Sequence, residues 1–429
     1  SRQRTFRLRQ LAAAATFSIL FPVDHRPIAV HGSPGLASRI LPGDWGHRRG
    51  GIATEFWMRQ PLFLMQKENP LKVGIVGAGV ISAAYLKTKF PQFKITCCSD
   101  IQPTQAQLRA REFGIAAVST ETILADPAID IVLNLTTPQH HAEVIGASVR
   151  ARKHVYSEKP LSISTGEAEP LLQAAAANDV RIGCAPDTFL GAAQQTGRKL
   201  LDEGAIGSPI GGTAFFMSGG PESWHPNPEF FYQKGAGPVL DMGPYYLTAL
   251  VNLLGPIKRV WSAGRTTLPQ RTIGSGPRKG TSFPVSVLSY LSTILEFQGG
   301  PIVTFVASFD VPAYNHPYIE IYGTGGTLQL PDPNYFGGAV RINQDGRWVD
   351  VSHSHGYGDG NYRGIGLADL VAGLRSGTPH RASAELAFHV LEVMEAIVET
   401  AGSGEAYALR STCEPPRALR SVSHTPDFS

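Results

Sequence analysis

Leu71-Lys72-Val73-Gly74-Ile75-Val76-Gly77-Ala78-Gly79-Val80-Ile81-Ser82-Ala83-Ala84-Tyr85-Leu86 decides the fold of this chain. A short apolar run of strand type leads into a glycine turn, and a helix starts directly after it. That context gives meaning to a glycine pattern that would otherwise be weak. Gly77 permits the tight turn. Gly79 has no β-carbon, so a pyrophosphate can approach the backbone, and Val80 and Ile81 open the helix against it. The third small position is Ser82 rather than Gly or Ala. The alternative reading of the two glycines is an ordinary turn.

The next strand supports the nucleotide reading. Residues 93–99 are strand-like and end at Asp100, which lies 21 positions after Gly79. A carboxylate about 20 residues on binds the adenosine ribose in such domains and repels a 2′-phosphate. Ile101, Gln102 and Pro103 bring no Arg or Lys to hold a phosphate, so the pattern favours NAD over NADP.

Further strands are expected at 130–135, 154–157 and 181–185, with helical patterns between them. The run at 130–135 is almost wholly apolar, as a parallel strand covered on both faces requires. Alternating strands and helices imply a doubly wound parallel sheet, an N-terminal Rossmann domain over 70–188, with its ligand at the carboxyl ends of the strands. After about 190 the texture changes. One helix is expected at 191–203 and another at 238–254. Strand-type runs at 257–263, 286–297, 301–309 and 317–322, separated by Gly and Pro, read as a large open, mostly antiparallel sheet. Residues 189–412 form this second α/β domain, for substrate and oligomer contacts, and 413–429 read as a C-terminal tail. Ala387, Val390, Leu391, Met394, Ile397 and Val398 recur at helical spacing and mark a core face.

The chain has 429 residues, enough for two domains of ordinary size. Residues 1–65 hold nine Arg, no Lys and three acids, so the formal charge of +3 leaves a mildly acidic body and argues against nucleic acid as a partner. No apolar run reaches the ~18 residues that span a bilayer, so no membrane partner is expected. Arg2, Arg4, Arg7 and Arg9 followed by an apolar stretch resemble a signal or transit peptide. A disordered tail or an upstream extension before a domain starting near Met65 is the favoured reading. None of the four cysteines sits in a C-x-x-C pair, so no metal site is expected from them. Free thiols point to the cytoplasm, with export as the alternative if residues 1–30 are a true signal. His353 and His355 have ligand-like spacing but lie in a polar loop.

Glu158-Lys159-Pro160, taken with Thr136-Thr137-Pro138 before it and Gly237-Pro238-Val239-Leu240-Asp241-Met242-Gly243-Pro244-Tyr245 after it, resembles the Gfo/Idh/MocA family, the glucose–fructose oxidoreductase and inositol dehydrogenase group. The resemblance covers about 70–412. It implies a Rossmann domain joined to an open-sheet domain that carries homo-oligomer contacts, NAD as cofactor, and a sugar, cyclitol or related polyol as substrate. It assigns Lys159 to the nicotinamide and the substrate hydroxyl, and Asp241 to an orienting role. Where many members carry an acid/base His, this chain has Tyr245. A second Asp of the family is Thr248 here. Thr136, Thr137, Pro138, His141 and Glu158 fall where cofactor contacts are expected.

The chemistry stands on its own grounds. Oxidising a secondary alcohol removes its proton while hydride leaves carbon. A free tyrosine, with a pKa of ~10, is a poor base at neutral pH, and a neighbouring ammonium favours the phenolate. Lys159 is a candidate for that ammonium, and Asp241, four residues before Tyr245 on a helix, faces the same way. An X–Pro bond after Lys159 is a candidate for the cis form. Asp187 follows a strand end, and Trp224 and His225 open an aromatic loop that can stack on a sugar face, so all three are candidate substrate contacts. The expectation is therefore an NAD-dependent dehydrogenase or reductase. The alternatives are a non-redox user of NAD, working by transient oxidation, and a nucleotide-binding regulatory protein.

Overall fold

A computed structural model describes residues 69–421. The readings of 1–65 and of the last residues of the chain lie outside the described residues.

The N-terminal part runs β1 (Leu71–Val76), α1 (Ser82–Lys87), β2 (Phe93–Ser99), α2 (Pro103–Phe113), β3 (Ala116–Ala117), α3 (Thr120–Ala125), β4 (Ile131–Asn134), α4 (Pro138–Arg150), β5 (His154–Ser157), α5 (Thr165–Ala177) and β6 (Ile182–Cys184). The six strands pair in the order β3-β2-β1-β4-β5-β6, all parallel. β4 is buried at every position, which is why its sequence shows no polar alternation. The chain order reverses between β1 and β4, and at such a switch point the strand ends diverge and leave a crevice. Gly77, Thr136 and Glu158 follow the ends of β1, β4 and β5 and so share that rim.

The C-terminal part adds α6 (Ala192–Asp202), β7 (Pro209–Met217), α7 (Pro238–Leu254), β8 (Ile257–Arg265), a hairpin of β9 (Gln270–Thr272) and β10 (Ser282–Pro284), and β11 (Tyr290–Phe297) with β12 (Ile302–Ser308). It continues with β13 (Ile319–Gly323), β14 (Gly326–Leu330), β15 (Val340–Gln344), β16 (Arg347–Val351), α8 (Ile365–Ser376), α9 (Ala384–Ser403) and β17 (Tyr407–Ala408). Nine strands form one sheet in the order β16-β15-β14-β13-β7-β12-β11-β8-β17. All its pairs are antiparallel except β7 with β12. α7 and α9 bury one face of this sheet. The other face leaves Trp261, Ile294 and Ile302 exposed.

Two departures from the sequence reading matter. The segment after 412 is not a loose tail as far as it is described: Cys413 and Leu419 are buried, and the Leu419 N–H donates to Gln195 Oε1 at 2.9 Å. The chain also returns to the first sheet near its end. Cys184 N–H donates to Ala382 O at 2.9 Å, and Ser383 caps α9 by accepting from Leu386 N–H. That return places the segment before α8 beside the crevice.

Candidate active site

The glycine turn separates two requirements. Gly77 has φ +99°, and a β-carbon there would lie 2.6 Å from the Leu135 carbonyl group, so only glycine fits. At Gly79 a β-carbon would meet nothing within 4 Å. The space above Gly79 is open ground of the kind a pyrophosphate needs. Val80 and Ile101 flank it at 89% and 94% exposure, large apolar side chains left bare at the mouth. Ser82 is fully buried and donates to Gly79 O at 2.6 Å, so a serine serves as the third small residue. Ile81 sits partly buried at the start of α1. Asp100 is held at the rim: Oδ2 accepts from Ala78 N–H at 2.8 Å and Oδ1 from Gln102 N–H at 2.9 Å. Arg109, which the sequence did not single out, donates from α2 to Gly79 O at 3.1 Å. Thr136 N–H and Oγ1 both turn back to Asn134 Oδ1, while Thr137 starts α4 with no side-chain cap bond and Pro138 takes its first position.

His141 is a correction. Expected at the cofactor, it is fully buried, with Nδ1 2.6 Å from Pro160 O and Nε2 3.1 Å from Thr136 O. It ties the Glu158-Lys159-Pro160 loop to the turn after β4. Burial pushes its pKa down against the pull of the two carbonyls. Glu158 is likewise turned inward: Oε1 accepts from Tyr85 Oη at 2.9 Å and Oε2 from Lys159 N–H at 3.1 Å. It braces the loop against α1.

The Lys159–Pro160 bond is cis. Lys159 Nζ donates to Asp241 O at 2.6 Å and to Asp241 Oδ1 at 3.1 Å, and lies 5.1 Å from the centre of the Tyr245 ring. Residues 82 and more positions apart in sequence thus meet. α7 makes this possible. It begins at Gly237 (φ +101°) with Pro238 first, so Asp241 is one turn inside rather than the helix cap. Pro244 lacks the N–H that would close on the carbonyl four residues earlier, which loosens this turn. The carbonyl so freed is that of Leu240, and Lys159 bonds to the next one along, Asp241 O. Burial alone would push the Lys159 ammonium down, but Asp241, Tyr245 and Glu158 outweigh it and hold the group above the ordinary lysine value. Lys159 is therefore a charged donor at neutral pH, not a base. Thr248 is buried and lines a small cavity beside Lys159, together with Pro244 and Met394.

Arg363 joins this group unannounced by the sequence reading. Its Nη2 lies 3.4 Å from both Tyr245 Oη and Asn334 Oδ1. Asp187 explains its position. Expected to touch substrate, Asp187 is instead 1% exposed, and its Oδ2 accepts from Gly364 N–H at 2.8 Å and Gly366 N–H at 3.1 Å. It clamps the backbone next to Arg363 from behind. Gly364 has φ +105°, and a β-carbon on Gly366 would collide with the Tyr156 hydroxyl, so both glycines are required by the clamp. Burial pushes Asp187 up to about 6, against the two amides. Asp332, whose Oδ1 accepts from Asn334 N–H at 3.0 Å, is also pushed up to about 6 by burial.

Trp224 and His225 have their ring contacts outside the Lys159 group. They pack with Phe230 and Phe231 in a separate aromatic group, Trp224 being 54% exposed. Among the described residues no hydrogen bond or ring contact joins them to Lys159, Asp241 or Tyr245. Their loop is pinned elsewhere: buried Arg271 pairs with Glu222 at 2.5 Å and with Asp310, and lies over the Tyr232 ring. His353 and His355 spend their Nε2 atoms on the carbonyls of Gly338 and Leu419.

Residues 71–185 match the oxidoreductase family with an NAD-binding Rossmann fold, and residues 194–329 match the GFO/IDH/MocA C-terminal domain. The chain belongs to the Gfo/Idh/MocA family. It is an NAD-dependent oxidoreductase. Among Gfo/Idh/MocA relatives, it is 25% identical to levoglucosan dehydrogenase of Pseudarthrobacter phenanthrenivorans over 332 residues, 68% of this chain and 82% of that one. It is also 25% identical to 1,5-anhydro-D-fructose reductase of Ensifer adhaerens over 265 residues, 59% and 74% of the two chains. The fold superposes on levoglucosan dehydrogenase in complex with NADH and levoglucosan with a TM-score of 0.68 at 22% identity, covering 79% of this chain and 99% of that one. The open ground above Gly79 and the small Ser82 suit the dinucleotide that defines the family's first domain.

Proposed function

We propose that this protein moves hydride between NAD and a secondary hydroxyl of a sugar, cyclitol or related polyol, with Lys159, Asp241 and Tyr245 as its working group. The bound nicotinamide supplies the hydride acceptor or donor. Lys159 stays charged and donates to the substrate oxygen, which favours the alkoxide character that develops as the carbinol proton leaves. Asp241 holds the ammonium from below by two bonds, carbonyl and carboxylate, and so fixes its direction. Tyr245, acting as the phenolate, takes the hydroxyl proton and becomes the phenol, since Lys159 is already protonated and Asp241 is engaged. Gly79 and the rim carboxylate of Asp100 serve the dinucleotide, with Thr137 and Val80 beside them.

One observation carries the reading: an ammonium at the end of β5 and a phenol on α7 meet beside the crevice of the first sheet. Relatives named for an anhydro-sugar, for 1,5-anhydrofructose and for inositol support the polyol class. The exposed apolar residues on the open sheet face support a homo-oligomer, and four free cysteines, all buried, support the cytoplasm. The test is a screen of NAD reduction against aldoses, anhydro-sugars, uronates and inositols, repeated with Lys159→Ala and Tyr245→Phe. Turnover lost in both variants while NAD still binds is the expected result. Near-normal rates in both would reject the assignment.

A further inference from the structure

Arg363 is a cation without a carboxylate partner in the middle of this site. Its three side-chain contacts, to Tyr245 Oη, Asn334 Oδ1 and Asn361 Oδ1, are all 3.4 Å long and none is to a carboxylate. That is the far limit of a hydrogen bond. Other enclosed arginines here are treated differently: Arg271 pairs with Glu222 and Asp310, and Arg381 with Asp369. The carboxylates nearest in charge to Arg363 are Glu158 and Asp187. Neither is within ion-pair distance, and both are engaged, Glu158 by Tyr85 and Lys159 N–H, Asp187 by two backbone amides. A guanidinium whose side-chain bonds all sit at that limit keeps N–H donors for a ligand.

We propose that Arg363 reads a carboxylate on the substrate, so that the polyol oxidised or formed here is a sugar acid, an aldonate or uronate, with its acid group a few carbon atoms from the reacting hydroxyl. The inference rests on the proposed function above and narrows its substrate class. A guanidinium presents parallel N–H groups that match a carboxylate in two bonds. Arg363 Nη2 is 3.4 Å from Tyr245 Oη, the proton acceptor, so a carboxylate held there lies beside the carbinol and not at a remote end. The platform is rigid: Asp187 fixes Gly364 and Gly366, and the Arg363 N–H is itself held by Asn361 Oδ1 at 3.2 Å.

Two measurements separate this inference from the reading it rests on. Calorimetric binding of D-gluconate and D-glucuronate, against D-glucitol, D-glucose and glucose 6-phosphate, is measured on the NADH-loaded protein. Steady-state kinetics compares matched acid and neutral pairs in the wild type, Arg363→Gln and Arg363→Lys. The acids are expected to bind and turn over about tenfold or more better than their neutral partners. Arg363→Gln is expected to cut the acid-to-neutral ratio of kcat/KM at least about tenfold, mainly through KM, and Arg363→Lys to recover part of it. Turnover without preference for acids, an equal loss on both classes in Arg363→Gln, or a preference for the phosphate would overturn the inference while leaving the proposed function standing. Arg363-dependent acid binding with no Lys159-dependent turnover would do the reverse. No acid binding at all would overturn the inference.

Discussion

Replacing Asp187 by Asn changes one charge in a buried clamp and almost nothing in shape. Asp187 is 1% exposed and its pKa is pushed from 3.8 up to about 6, burial outweighing the amides of Gly364 and Gly366. The folded state therefore binds this proton more tightly than the unfolded state. Its contribution to stability is fully present below pH 4 and is lost as the pH rises through 6. A shift of about 2 units corresponds to ~3 kcal/mol, an upper figure for one buried carboxyl. The Asn variant lacks this titration, while the similar rise at Asp332 is common to both proteins and cancels in the comparison. Denaturant unfolding of both proteins at pH 4 and pH 7 measures the difference. The stability of Asp187→Asn relative to the wild type should rise by ~2.4 kcal/mol between those two pH values, since at pH 4 the unfolded carboxyl is already partly ionised. Parallel pH profiles would refute the claim that Asp187 is a buried carboxylate spent on backbone amides, and with it the account of how Arg363 is positioned.

Other expectations follow from single contacts. Tyr85→Phe leaves Glu158 Oε1 without its donor, and loss of a hydrogen bond to a charged group costs ~1.5–3 kcal/mol, read as a lower denaturation midpoint. Gly79→Ala should leave the midpoint unchanged or slightly raised, because its β-carbon meets nothing, yet weaken NAD binding in a fluorescence titration at least about tenfold. Equal NAD affinity would remove the pyrophosphate from that turn. Gly77→Ala should do the opposite and destabilise the fold by ~1–3 kcal/mol, since its backbone is left-handed and crowded by Leu135. Tyr245→Phe should lower kcat about 10²–10⁴-fold with NAD affinity kept.

The first sheet was legible because its signals are local. Gly77 and Gly79 follow an apolar strand directly, Asp100 ends the next strand, and the run at β4 is apolar throughout because both faces are covered. Lys159, Asp241 and Tyr245 came from motif resemblance, and the same contacts bring them together. What escaped the reading depends on partners distant in sequence. His141 looks like a helix-start histidine near a cofactor, yet its ring is consumed by Pro160, 19 residues on. Asp187 sits after a strand end, where substrate contacts occur, but the amides that claim it are 177 and 179 positions away. Arg363-Gly364-Ile365-Gly366 did carry a signal, two spaced glycines at a helix start behind an arginine. Its meaning required Tyr156 and Asp187, which only the folded chain supplies. The aromatic loop at Trp224 suits a sugar face by composition, and its rings also pack on each other, a contact that local sequence does not show.

The most direct test of the central claim is the rate of NAD reduction in single turnover by Lys159→Met, compared with the wild type on its best substrate, with NAD affinity measured in parallel. An ammonium that stabilises the developing alkoxide is worth about 10²–10³ in rate, so that loss with near-normal NAD binding is the predicted result. A variant that reduces NAD within a fewfold of the wild-type rate would contradict the assignment of Lys159, and the working group built around it.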